Sequence, residues 1–595
     1  MKTGRPSKLA HWPTPEATAH FGIAHYIKAR ATMKLAIALL AAAALTNSCT
    51  MTPTAVMPSP LEVASYWADG AIEAPPIGTY GRRVSAASPE AQAWFDQGIR
   101  YSYGFNQDQA ASCFAKAALA SPECAMAWWG LAHILCVDIN NQEVQEQEAI
   151  HAVVALQEAQ RIADSTEITG MEQGLINAEG LRTTISPPKS SDRHDLDAAY
   201  SEAIGKLWRK IKDIDLGVLY AESLMLLQPW NYWTSDYEPV KRSEEIVALL
   251  EACIELSPNH PGAHHFYIHM VESSGKAERG IPSADLLGKL MPGSGHLVHM
   301  PSHIYANVGR YEDAITVNQQ AVVLDAAYFE QYKRPTFYRN YYAHNIEFCT
   351  FGAMMEGRKA LALEYVDKLE QLAPDEAIAF YPEWMDGSCA LRMHVYVRFG
   401  MWNEIVAQPD YADFRKASRA IRRYARTVAL ANLGRTKEAR LELAQFDSAL
   451  SEVPEDWVIA FNPAKTVLGV ARQIAEAETF WRENNPTKAI ALLKDTLKTE
   501  HNLIYTEPPA WMIPIRHTLG AIQLASGDAI GAERSYREDL TKHKENAWSL
   551  LGLQQSLEKS GKREEASTIQ SRVDRAWARA DIEPPASCYC GTSLK

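Results

Sequence analysis

His265 and His269 stand four residues apart, and His299 and His303 repeat the pair 34 positions later. Seven of the chain's 18 histidines fall between positions 260 and 303. Residues four apart on a helix share a face, with Cβ atoms about 5–6 Å apart. That is within reach of a shared metal ion, as in the histidine pair of helical zinc motifs. Two such pairs across a helix–helix contact would supply three or four nitrogens, a donor set suited to one zinc, copper or nickel ion. Glu272 would accept a hydrogen bond from an imidazole or add an oxygen ligand. An open coordination position beside Tyr267, Tyr305 or Glu272 would support catalysis by a metal-dependent enzyme. No glutamate directly follows the first histidine of either pair, so the helical zinc-protease motif is absent, as are a Gly-rich phosphate loop and a nucleophile elbow.

The same residues admit two further readings. Neutral histidines that hydrogen-bond one another, Glu272 and Asn345 would line a groove for an organic ligand or a peptide. Alternatively, duplication of a repeat keeps one packing residue twice, and the protein is an assembly scaffold with no small-molecule site. The aromatic insertion at 229–239, with Trp230 and Trp233, would clamp a ligand or pack over an edge; another lies at 503–514. The ligand-binding reading leads, the metal-dependent one follows, and no reaction is assigned.

The 34-residue spacing points to a repeated two-helix unit. Residues 91–124 carry Trp94, Gly98 and Tyr101, then Ala110, Phe114 and Ala117, and close on Pro122. These are the signature positions of the tetratricopeptide (TPR) repeat, in which large and small side chains alternate so that two antiparallel helices approach closely. Pro258 and Pro292 bound a second unit, and later units follow at Gly309, Gly357, Gly434, Gly527 and Gly561. The expectation is an all-α, right-handed TPR-like superhelix of about eleven helical hairpins. In this register His265 and His299 take position 5 of their first helices, and His269 and His303 take position 9. Glu272, His296 and His344 fall beside them on the concave face, whereas His260 and His264 fall off it and are expected to be buried or capping.

Bulk properties narrow the partners. A net charge of −13 argues against a general nucleic-acid binder. Met33-Lys34, the apolar run 35–45 and Cys49 read as an export signal with a lipid-attachment cysteine. The expected organisation is a mis-called start plus signal over 1–49 (true start Met33), a linker and lead-in over 50–90, a continuous solenoid over 91–580 and a flexible tail over 581–595. The nine cysteines include no Cys-x-x-Cys, and Cys588 and Cys590 are expected to be unpaired in the tail.

The chain resembles a branch of bacterial exported TPR proteins through several motifs. They are the run 258–269 (PNHPGAHHFYIH), the run 295–305 (GHLVHMPSHIY), Gly309-Arg-Tyr, the run 125–130 (AMAWWG), His344-Asn345 and the run 547–552 (AWSLLG). The resemblance implies a TPR fold and a cell-envelope location, periplasmic or membrane-anchored. It would tie the chain to a membrane only through the lipid anchor, and it supplies no catalytic residues.

Overall fold

The computed structural model describes residues 57–591 apart from 71–76, 333 and 335. Across them the chain is a succession of antiparallel helical hairpins, an all-α superhelix of TPR type. A short antiparallel ribbon pairs Val458–Ile459 with Asn462–Pro463.

Local chemistry accounts for the hairpins. Pro89–Tyr103 opens on Ser88, whose hydroxyl accepts from the Ala91 N–H, and Pro89 sits in the first turn, where a missing N–H costs nothing. Gly98 lets the ring of Phe114 lie against this helix. A Cβ at Gly98 would stand 2.6 Å from that ring, and one at Gly130 would stand 2.5 Å from it. The same arrangement recurs with Tyr536 held between Gly520 and Gly552. Burial of such rings against glycine backbone sets the helix spacing.

Two large apolar cores follow from this stacking, and the helix Arg339–Met355 contributes side chains to both. Within the described residues, segments from both flanks fold back on the middle. From the N-terminal side, Asn106 Oδ1 accepts from the Tyr328 hydroxyl at 3.3 Å. From the C-terminal side, Trp548 Nε1 donates to the Met354 carbonyl at 2.7 Å, and the Asp581 carboxylate accepts from the Lys359 and Ala360 N–H groups, each at 2.7 Å. Gly309 turns with φ +81°, and a Cβ there would lie 2.5 Å from the Lys544 carbonyl oxygen.

Two segments differ from expectation. The lead-in contains the helix Pro60–Ala68, anchored where Trp67 Nε1 donates to His151 Nδ1 at 3.1 Å. The tail is packed through Gly591. Cys588 and Cys590 are disulfide-bonded, Cys590 is buried, and its carbonyl accepts from Trp481 Nε1 and Arg482, each at 2.9 Å. Those two donors pin a segment that sequence composition alone marks as loose. The proposed start, signal and Cys49 lie outside the described residues.

Candidate metal centre

The helix Pro261–Val271 carries His265 and His269. His260 caps it, accepting from the Ala263 N–H at 3.1 Å, while its Nε2 reaches Asp215 at 3.0 Å. His264 turns to Ser283 and the Pro258 carbonyl. The second pair straddles a helix break. Gly295–His299 stops just before Pro301, which has no N–H to continue the ladder, and Pro301–Asn307 resumes it. His344 comes from Arg339–Met355.

These side chains form two triads, not one four-histidine site. In the first, His265 Nε2 lies 3.1 Å from His269 Nε2 and 3.2 Å from His296 Nε2. In the second, His299 Nε2 lies 2.9 Å from His303 Nε2, with His344 completing the set. The four histidines of the two sequence pairs therefore divide, two to each triad, and His296 and His344 supply the third ligand positions. The triads adjoin, with ring centroids 5.8 Å apart for His296 and His299 and 6.2 Å apart for His269 and His303.

The outward nitrogens fix the tautomers. His265 Nδ1 sits 2.8 Å from the Tyr103 carbonyl, which can only accept, so Nδ1 carries the hydrogen and Nε2 is bare. His299 Nδ1 sits 2.6 Å from Asn318 Oδ1, whose amide nitrogen is already donating to the Ala314 carbonyl. Glu272 serves both triads, with Oε1 3.2 Å from His269 Nδ1 and Oε2 2.7 Å from His303 Nδ1. The second contact is an ion pair by distance whose angle misses a hydrogen bond. In the first triad, the bare Nε2 lone pairs of His265 and His269 thus face each other at 3.1 Å; in the second, the bare Nε2 of His299 faces His303 Nε2 at 2.9 Å. With metal–nitrogen bonds of about 2.0–2.1 Å, such spacings subtend about 90–105° at an ion, a facial set with a coordination position left over.

Burial shapes the protonation. It drives His265, His296 and His299 well below the ordinary imidazole range, reinforced by neighbouring imidazoles, and takes His344 down to about 3. Burial opposes charge on His303 as well, but Glu272 and Glu507 outweigh it and raise that group to about 10. Burial would likewise raise Glu272, yet His303 and His269 hold it at about 2. Glu507, 3.4 Å from His303 Nδ1, is pushed up to about 7, mainly by burial.

The expected open groove is largely closed here, with His344 alone of the six histidines partly exposed. His265, His269, His296, His299 and His303 are only 0–5% exposed. Phe105 lies 4.6 Å from the His265 ring and stacks on His296 at 5.5 Å, Tyr341 lies 4.4 Å from His296, and Phe348 covers His299 and His303. Trp230 presents its face or edge to His269 at 5.1 Å, whereas Trp233 points to the Met270 carbonyl and touches no histidine of the triads. Asn345 binds Asp325 at 2.7 Å and is likewise outside the cluster. Sequence reasoning missed Glu507, Asn318 and Phe105. The aromatic insertion at 503–514 was the one signal bearing on Glu507.

No family profile and no curated protein matches the chain. Solved structures similar to it include the APC/C hetero-tetramer Cut9–Hcn1, at 13% identity over 82% of this chain and 76% of that one, with a TM-score of 0.30. The human IFIT1 dimer with m7Gppp-AAAA is 11% identical over 81% and 96%, with a TM-score of 0.32. The TPR domain of P58(IPK) is 11% identical over 83% and 99%, with a TM-score of 0.21. Likeness at this level says nothing of ligand or activity.

Proposed function

We propose that this protein is a metalloprotein whose repeat scaffold holds transition-metal ions at the two three-histidine sites. One observation carries the reading: in the first triad, the Nε2 lone pairs of His265 and His269, freed by outward hydrogen bonds, face each other in a buried setting, and the second triad repeats the same arrangement of residues. Two bare acceptors facing each other repel, and a cation between them turns the repulsion into ligation. Buried, satisfied histidines with a packing role alone would pair a donor with an acceptor. The reading of an exposed ligand groove loses support because the same side chains are covered by Phe105, Tyr341 and Phe348.

Export and lipid attachment at Cys49 belong to the same proposal and rest on the N-terminal sequence pattern. The test is elemental analysis of protein purified without an affinity tag. Bound zinc, copper or nickel is expected, and His269→Ala combined with His303→Ala should abolish it. Protein that neither carries nor takes up any of these metals would refute the reading. For the anchor, mass spectrometry of membrane fractions should find diacylglycerol on Cys49, and an unmodified Cys49 would overturn that part.

A further inference from the structure

The two triads are copies of one design. Each combines a histidine pair four apart with a histidine from the following repeat: His265 and His269 with His296, then His299 and His303 with His344. The copies also touch. His296 stacks on His299, His269 lies against His303, and Glu272 contacts an imidazole of each set. A carboxylate clamped between two ligand sets ties the charge of one ion to that of the other.

Charge balance then selects the metal. Both ligand sets are imidazole only and so contribute no charge of their own. The carboxylates within contact of the six imidazoles are Glu272 and Glu507. Among the described residues, no lysine or arginine makes a hydrogen bond, ion pair or ring contact with any of the six. Two divalent ions would leave two uncompensated positive charges among Phe105, Phe348 and Tyr341, and buried uncompensated charge is costly. Two monovalent ions are matched by the two carboxylates once Glu507 is ionised, the state that a cation at the neighbouring triad favours. Of the metals that imidazole suits, copper alone has an ordinary monovalent state. A closed d-shell ion also tolerates a three-nitrogen set without demanding a fourth ligand.

Resting on the metalloprotein reading, we propose that the triads hold two copper(I) ions as an adjoining pair whose ligand is dioxygen. Each copper(I) gives one electron to O2, so two copper(II) ions and one peroxide dianion result. The O–O π bond is lost, the O–O σ bond is kept, copper–oxygen bonds form, and no proton or further reductant enters; reversal releases O2. The aromatic cover suits a diatomic ligand. Phe105, Trp230, Tyr341 and Phe348 close over the imidazoles, and Phe105 also lines a small cavity with Tyr103, Phe266 and Glu222.

The test uses the full chain, stripped of metal and titrated without oxygen against a copper(I)–acetonitrile complex in competition with a copper(I) chelator. Two copper ions per chain are expected after desalting. His296→Gln and His344→Gln should each keep one, and the double variant none, with circular dichroism melting curves confirming that all three fold. On admission of air, the two-copper protein should gain a near-ultraviolet charge-transfer band while staying silent in electron paramagnetic resonance, because adjoining copper(II) spins cancel. The oxidised single-site variants should show one ordinary copper(II) signal. One copper per chain, or two independent copper(II) signals in the unaltered protein, overturns the pair. Retention of zinc with no retention of copper(I) overturns the copper assignment and leaves the metalloprotein reading standing. Retention of no metal sinks both.

Discussion

Replacing Glu272 with glutamine changes almost no volume but alters what the side chain offers the two triads. The carboxylate accepts from His269 Nδ1 with one oxygen and faces His303 Nδ1 with the other. Glutamine keeps one acceptor and turns the second oxygen into an N–H donor. The imidazole facing that donor must present a lone pair at Nδ1, which moves its hydrogen to Nε2 and removes that nitrogen as a ligand. One triad should then lose a ligand outright, while the other keeps three with a neutral in place of an anionic supporter. Outer partners of this kind are worth about 10–100-fold in metal affinity, or about 1.4–2.7 kcal/mol. The triad with the flipped imidazole should fall at or beyond the upper end, and its neighbour near the lower. Competition titration with a chromogenic chelator, read as two separate dissociation steps, measures both. Asn318→Leu is the companion variant, because Asn318 supports His299 alone and should weaken only the second triad. Equal affinities at both sites in folded Glu272→Gln protein, within about threefold of the unaltered chain, would show that the tautomer argument is wrong.

Two other outcomes concern the scaffold. Burial works against ionisation of Glu179, but Arg182 and His133 outweigh it and bring the carboxylate from 4.5 down to about 2. Because the folded-state value is the lower one, its contribution is complete above pH 4.5 and is lost as the pH falls toward 2. This corresponds to about 3 kcal/mol, and acid titration of Glu179→Gln should show a flatter loss of stability across that window. Alanine in place of glycine usually gains about 1 kcal/mol inside a helix, yet Gly552→Ala should lower stability by about 1–2 kcal/mol in denaturant melts, because overpacking of this kind costs about 1–3 kcal/mol. The new Cβ would stand 2.3 Å from the Tyr536 ring; unchanged or raised stability would contradict the packing described.

The helical repeats and the neighbourhood of the site were legible because both depend on short spacings. Four-residue pairs and a 34-residue register placed His265, His269, His299 and His303 together, with His296, His344 and Glu272 beside them. Their division into two triads was not legible. It depends on which helix delivers the third imidazole and on the break before Pro301 between His299 and His303. Glu507 and Phe105 reach the site only because distant turns of the superhelix meet, and no local pattern encodes superhelical pitch. The same long-range return explains why an expected groove is a covered interior. It also explains why the segment around Cys590, polar and short, is held by Trp481 and Arg482 and not free.

The backward folding of the chain onto its own middle bears on how the molecule comes apart. A linear solenoid touches only neighbouring units, so its repeats can fray from either end and melt in stages. Here Trp548 is tied to Met354, Asp581 to the start of Lys359–Leu372, and Asn106 to Tyr328. Each tie spans about 200 residues of sequence. Loosening a terminal hairpin therefore also loosens the middle, which converts stepwise fraying into one cooperative transition. It also raises the average sequence separation of native contacts, which slows folding relative to an open repeat array of the same length.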